Sequence, residues 1–446
     1  MRTEDRGPGP SRLEVWVDDR PVHALPGERV LDAVRRRSPA AAADLERDRA
    51  WVADGRGEPV GIHGALEGGQ RLYVRRGGPD GAADFPAGAV ARERPGLREP
   101  GAAAPVTRER ILALPKVELH VHLDGCLRLT TLLDLAGEQG VRLPAADTSA
   151  LEEYFAHPET GRSLVEYLTR FDTTLSVMQE RPAIERIAYE LAEDAHRENV
   201  RYFEVRFSPV LHRDRGLGLH DSVEAVRAGL ERAERELGVR AGIIICALRH
   251  LDPLVSEELA ELCVDYKHRG VVGFDLAGPE ENFPAKKHRS AFKVVLENNV
   301  NITIHAGEAW GADSIHQAIH DCGAHRIGHG THLFEDRDLQ DYVNDHRIPI
   351  EVCLLSNVQT GAVETLAAHP LRRYFDEGLR VTVNTDSRLI SQTTVTDELL
   401  RAHAELGFTW PEIKKLVLNG FKSAFLPYAE RRALLGQVSA ELDAAG

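Results

Sequence analysis

Two histidines one residue apart, His120 and His122, close the apolar run "KVELHVH" (116–122), and Asp124 follows in "LDG". Side chains alternate faces along a strand, so both imidazoles point the same way and can reach one ion. His305 lies at the end of a second apolar run, "NITIHAGE" (301–308), and Asp386 closes another, "LRVTVNTD" (379–386). Three imidazoles and a carboxylate form an N/O donor set that suits Zn²⁺ or a related first-row divalent ion, one per chain, with water at the open position. Such an ion lowers the pKa of its water from about 16 toward about 7 and supplies hydroxide at neutral pH. Glu308, three residues after His305, suits a proton donor or acceptor beside the ion. His329, between two glycines in "GHG", suits a residue that holds and orients the attacking water.

These residues need elements that bring them together. Eight apolar runs occur after residue 105, at 116–122, 200–208, 239–249, 270–278, 301–308, 325–330, 348–357 and 379–386. Helical patterns lie between most of them, for example "PAIERIAYELAEDAHREN" (182–199) and "SVEAVRAGLERAERELG" (222–238). Continuous apolar strands alternating with helices imply a parallel sheet covered on both faces. Eight such units fit an α/β fold of the (β/α)₈ TIM-barrel type, in which the strand C-termini share one mouth. Glu204, Arg206, Arg249, Asp275, Ser356 and Asn357 also sit at or near these strand ends, and Arg206 with Asp275 is expected to form a structural pair. The segment 129–181 is an insertion after the first strand. Phe155, Leu164, Leu168, Phe171, Leu175 and Met178 recur in it at helical spacing, as a helix packed on the barrel or a lid over a pocket. His316, His320 and His332 have no partner argument and are expected on the surface.

The body resembles the adenosine/AMP deaminase family of metal-dependent aminohydrolases, and within it the bacterial adenosine deaminases. The resemblance is carried by "KVELHVHLDG" (116–125), "DLAGPE" (275–280), "ITIHAGE" (302–308), "RIGHGTH" (326–332), "LSNVQTGA" (355–362) and "VNTD" (383–386), in family order from about 110 to about 425. It implies that His120, His122, His305 and Asp386 bind zinc. Glu308 protonates N1 of the purine, and His329 orients the attacking water and helps deprotonate it, with Asp386 also in contact. By the same resemblance Gly278 offers its backbone N–H to N3, Asp124 bonds the ribose side, and His122 faces the substrate as well as the metal. The implied reaction is hydrolytic deamination of adenosine or 2′-deoxyadenosine to inosine or 2′-deoxyinosine and ammonia. Adenosine-specific members carry a second aspartate after the first, bonded to N7; here it is Ser387, a shorter substrate contact. That departure leaves open another or modified aminopurine nucleoside. A non-catalytic binding or regulatory protein on the same scaffold is the remaining alternative, and the intact set of ligands with Glu308 argues against it.

The remaining features bound the setting. Residues 1–105 hold 17 Arg and 17 Asp plus Glu, so the whole net charge of −15 falls on the rest of the chain. A body that acidic is a poor binder of phosphate backbones, which points away from nucleic acid and toward a small neutral substrate. The five cysteines show no CxxC spacing and the N-terminus has no apolar signal-like run, which fits a reducing cytoplasm and no membrane. Residues 1–76 read as a small β-grasp (ubiquitin-like) module: alternating Leu13, Val15 and Val17, a helix in "GERVLDAVRRR", two strands in "RAWVADGRGEPVGI" and a last one in "GQRLYVRR". Its expected role is structural or docking of an unknown protein partner. Residues 77–105 are two-thirds Gly, Ala and Pro, the composition of a flexible linker, and 106–446 form the deaminase-like domain.

Overall fold

The computed structural model describes residues 105–156 and 163–445, and in the N-terminal part 13–17, 20–24, 30–38, 41–42, 45, 50–54, 59–60 and 71–76. Most of the Gly/Ala/Pro stretch assigned above as a linker, 77–104, lies outside the described residues. The chain divides into two units, Met1–Ala102 and Ala103–Gly446.

In the first unit, β1 (Leu13–Val17), β2 (Arg20–Ala24), β3 (Ala50–Asp54), β4 (Pro59–Val60) and β5 (Arg71–Arg76) form one sheet in the order β2-β1-β5-β3-β4. Strands β1 and β5 pair in parallel and the other pairs are antiparallel. The helix Val30–Arg37 contributes Val30, Leu31 and Val34 to a core shared with Val15, Val17, Val52 and Leu72. This is a β-grasp arrangement. Strand β2 was not legible in the sequence: it contains Pro21 and sits at a sheet edge, where a missing N–H breaks no ladder.

In the second unit eight parallel strands run in chain order: β6 (Lys116–His122), β7 (Val200–Phe207), β8 (Arg240–Leu248), β9 (Val271–Ala277), β10 (Asn301–Ala306), β11 (Arg326–His329), β12 (Ile350–Val352) and β13 (Val381–Val383). The ends meet just beyond β13. His122 N–H donates to the Asp386 carbonyl at 2.7 Å, and Asp386 N–H donates to the His120 carbonyl at 3.0 Å. The result is a (β/α)₈ barrel whose helices include Arg181–Arg197 and Leu219–Leu237 at the two positions read from periodicity. No helix among the described residues is long and apolar enough to cross a membrane.

Two expected strands are shorter than read. The run 348–357 is strand only over Ile350–Val352, and Leu354–Gln359 is a helix, so Ser356 and Asn357 are helical. A short apolar run does not itself distinguish a buried strand from a buried helical turn. The run 379–386 is strand over Val381–Val383. The insertion is divided into helices Leu129–Gln139, Thr148–Phe155, Leu164–Thr169 and Phe171–Leu175. Asp147 and Ser163 cap two of them by accepting backbone N–H bonds, which starts a new helix at each point.

Candidate active site

The barrel mouth opens into a cavity of about 430 Å³, a usual size for a small-molecule site. One wall is apolar and comes from the insertion: Leu164, Tyr167, Leu168, Phe171 and Leu175. Of the predicted site residues, His122, Asp124, Gly278, His305, Glu308, His329 and Asp386 line it.

At its floor, ligand atoms of His120, His305, His329 and Asp386 all lie within 4.8 Å of one another. His122 joins them, its Nε2 being 3.1 Å from His305 Nε2 and 3.4 Å from Asp386 Oδ1. His120 Nε2 is buried, makes no hydrogen bond, and lies 3.3 Å from Asp386 Oδ1. A buried imidazole nitrogen without a donor, among other N/O donors, fits a divalent cation. Burial holds the pKa values of His122, His305 and His329 down, so each keeps a neutral ring. Burial opposes the charge on Asp386, but the proximity of His120, His122 and His329 holds it well below the usual carboxylate range.

A layer of buried charges orients these ligands. Glu351 accepts from His120 Nδ1 at 3.0 Å, from Thr303 at 2.9 Å and from Arg206 at 2.9 Å. Asp275 accepts from His305 Nδ1 at 3.2 Å and from Arg206 at 2.7 Å. The expected Arg206–Asp275 pair is therefore present and holds a site histidine. Ser356 donates to Asp386 Oδ2 at 2.6 Å, although it sits on a helix and not at a strand end. His329 and Asp386 have left-handed backbone, φ 62° and 64°, uncommon for side chains of their size and a local strain that packing must hold.

Glu308 is buried and lies 3.6 Å from His329 Nε2. Burial first, then the charges of Asp386 and Glu280, push its pKa well above the ordinary range, which favours its protonated form. Glu280 positions its loop. The Glu280 carboxylate accepts from the backbone N–H groups of Gly307, Glu308, Ala309 and Trp310 at 2.6–2.9 Å, and from Ser314. Asp124 is buried at the rim and its pKa rises to about 7 through burial. Gly278 has φ 98° and a Cβ there would lie 3.1 Å from His250, so the loop needs glycine.

Ser387 is placed differently from its expected role. It is fully buried but does not line the cavity; its side chain packs on Gly125, where a Cβ would lie 2.4 Å from the serine oxygen. Asp386 and Ser387 are adjacent, yet only the first faces the mouth. His316 and His320 are exposed on the helix Ala312–His320, and His332 pairs with Glu335 at 2.8 Å. Sequence reasoning missed Glu280, Glu351, Tyr167 and His369. A charge such as Glu351 inside an apolar strand is the signal that would have found one of them, because a buried charge must be paired.

A parallel eight-stranded barrel with a His/Asp cluster and a buried carboxyl at its mouth defines the class of barrel aminohydrolases. The adenosine deaminase family model matches residues 115–441. An adenosine deaminase from Mycobacterium sp. (strain JLS) is 44% identical over 351 residues, 75% of this chain and 96% of the relative. A probable adenosine deaminase from Dictyostelium discoideum is 43% identical over 321 residues, 72% of this chain; the chain spans 42% of that longer relative. The solved adenine deaminase from Arthrobacter aurescens superposes with a TM-score of 0.70 at 29% identity, covering 74% of this chain and 100% of that one. The chain belongs to the adenosine deaminase family.

Proposed function

We propose that the chain hydrolyses the amine at C6 of adenosine and 2′-deoxyadenosine, giving inosine or 2′-deoxyinosine and ammonia, with one Zn²⁺ held by His120, His122, His305 and Asp386. Zinc, when bound, acts as a Lewis acid that makes water a nucleophile at neutral pH. The observation that carries the reading is Glu308: a fully enclosed carboxyl whose protonated form burial favours, 3.6 Å from His329, on the cavity wall beside the His/Asp cluster. An aryl amine is a poor leaving group, so the purine needs a positioned acid, and Glu308 gives its proton to N1. His329 holds the attacking water against C6. The Gly278 backbone N–H meets N3, Asp124 and His122 face the ribose side, and the apolar wall at 164–175 excludes water from the base. That proton-donating carboxyl has no use in a purely binding or regulatory protein.

Ser387 supports a second reading, in which another or modified aminopurine nucleoside is preferred, because it packs on Gly125 and is not among the residues that line the cavity. Residues 1–76 and 106–446 we take as separate modules joined through 77–105, the first with a structural or partner-docking role. The test is ammonia release by zinc-loaded protein from adenosine, 2′-deoxyadenosine, adenine and a panel of aminopurine nucleosides. Adenosine is expected to lead, and Glu308→Ala to lose about 100-fold or more in kcat. Another aminopurine far ahead of adenosine would establish the second reading, and release unchanged in Glu308→Ala would remove the mechanism.

A further inference from the structure

The proton on His329 can be located from a backbone amide two side chains away. Leu371 N–H donates to His369 Nδ1 at 3.0 Å. A backbone N–H cannot become an acceptor, so His369 Nδ1 carries a lone pair. His369 is buried and burial lowers its pKa to about 3, so the ring is neutral and its one proton is on Nε2. That Nε2–H faces Asn357 Oδ1 at 3.0 Å. The amide is thereby fixed: turning it over would set an NH₂ against an N–H. Asn357 Nδ2 then donates to His329 Nδ1 at 2.9 Å. A neutral imidazole that accepts at Nδ1 holds its proton on Nε2, the nitrogen facing Glu308.

His120 and His305 have the opposite arrangement. Their Nδ1 atoms face the carboxylates of Glu351 and Asp275, which only accept. Both rings therefore carry the proton on Nδ1 and turn an Nε2 lone pair into the cluster. By position alone His329 belongs with them; by tautomer it does not.

We infer that the relay from Leu371 through His369 and Asn357 fixes His329 as an Nε2–H donor, so that it holds the reacting oxygen by donating to it and is neither a metal ligand nor the base that takes the water's proton. Asn357 and His369 are positioning residues. The role given to His329 in the reaction rests on the function proposed above; the tautomer does not.

The experiment is long-range ¹H–¹⁵N correlation on the zinc-loaded full chain carrying ¹⁵N-histidine, with His329→Gln used for assignment. The expected spectrum has His329 protonated at Nε2 and bare at Nδ1. Asn357→Asp puts an acceptor against Nδ1 and is expected to move the proton there, lowering kcat about 100-fold with KM within about threefold and zinc still one per chain. His369→Leu frees the Asn357 amide and is expected to give mixed tautomers and a kcat about tenfold lower; it serves if Asn357→Asp does not fold. A parent spectrum with the proton on Nδ1, or either variant keeping its kcat within threefold after the tautomer has changed, overturns the inference. A parent that releases no ammonia from any aminopurine would count against the proposed function alone, since the spectrum would still report the relay.

Discussion

Asp275 does not line the cavity, yet Asp275→Asn should weaken metal binding. The carboxylate accepts from His305 Nδ1, from Leu276 N–H at 2.7 Å and from Arg206 at 2.7 Å, fully buried. Asparagine keeps the shape but has one acceptor oxygen. If that oxygen serves Leu276 and His305, its NH₂ is set against the Arg206 guanidinium; if it serves Arg206, His305 loses the partner that fixes its tautomer. Loss of a carboxylate behind a ligand histidine typically weakens metal binding about 10–100-fold, or roughly 1.4–2.7 kcal/mol. Breaking a buried ion pair costs about 3–5 kcal/mol. Arg206 retains Glu351 and the Leu119 carbonyl, so about 2–3 kcal/mol is the reasonable share here. At about 2 °C per kcal/mol for a domain of this size, the metal-free protein should melt about 5 °C lower. Zinc affinity is read by competition with a fluorescent chelator, and stability by calorimetry with and without metal. Zinc affinity within threefold of the parent would refute the argument, whatever the melting temperature did.

Other outcomes follow from the same geometry. Tyr167 lines the cavity from the insertion and its hydroxyl bonds Ser391 at 2.8 Å, tying that wall to the loop after β13. Losing about 1 kcal/mol there, Tyr167→Phe should raise KM for adenosine about fivefold with kcat nearly unchanged, by steady-state kinetics. Glu398 is buried and its pKa rises from 4.5 to about 7 on burial. The folded state therefore binds the extra proton, and stability should fall as pH rises from about 4.5 through 7; Glu398→Gln should flatten melting temperature over that window. Removing residues 1–105 should leave kcat and KM for adenosine within about twofold, since the matched family region begins at residue 115; a tenfold loss would give the first unit a catalytic role.

The strands and the mouth were legible because apolar runs and strand ends are local signals. "KVELHVH" coincides with β6 residue for residue, and His122, Asp124, Gly278, His305, Glu308, His329 and Asp386 do line one cavity. What could not be read was direction and long-range pairing. Ser387 packs on Gly125, far away in the sequence, so its place outside the cavity lining could not be read from its position beside Asp386. His369 reaches the site only through Asn357, and nothing in the spacing of 357 and 369 says so. Glu280 is 28 residues from the Glu308 backbone it holds, so its role depended on the closure of β9 against β10.

The joint at Asp386 also fixes when the site can exist. His120 and His122 leave the ribosome long before Asp386, and the backbone bonds that bring them together span nearly the whole barrel. A nascent chain that has made β6 through β12 holds three of the four proposed ligands but lacks the carboxylate. The proposed four-ligand set is therefore complete only once the last strand is in place.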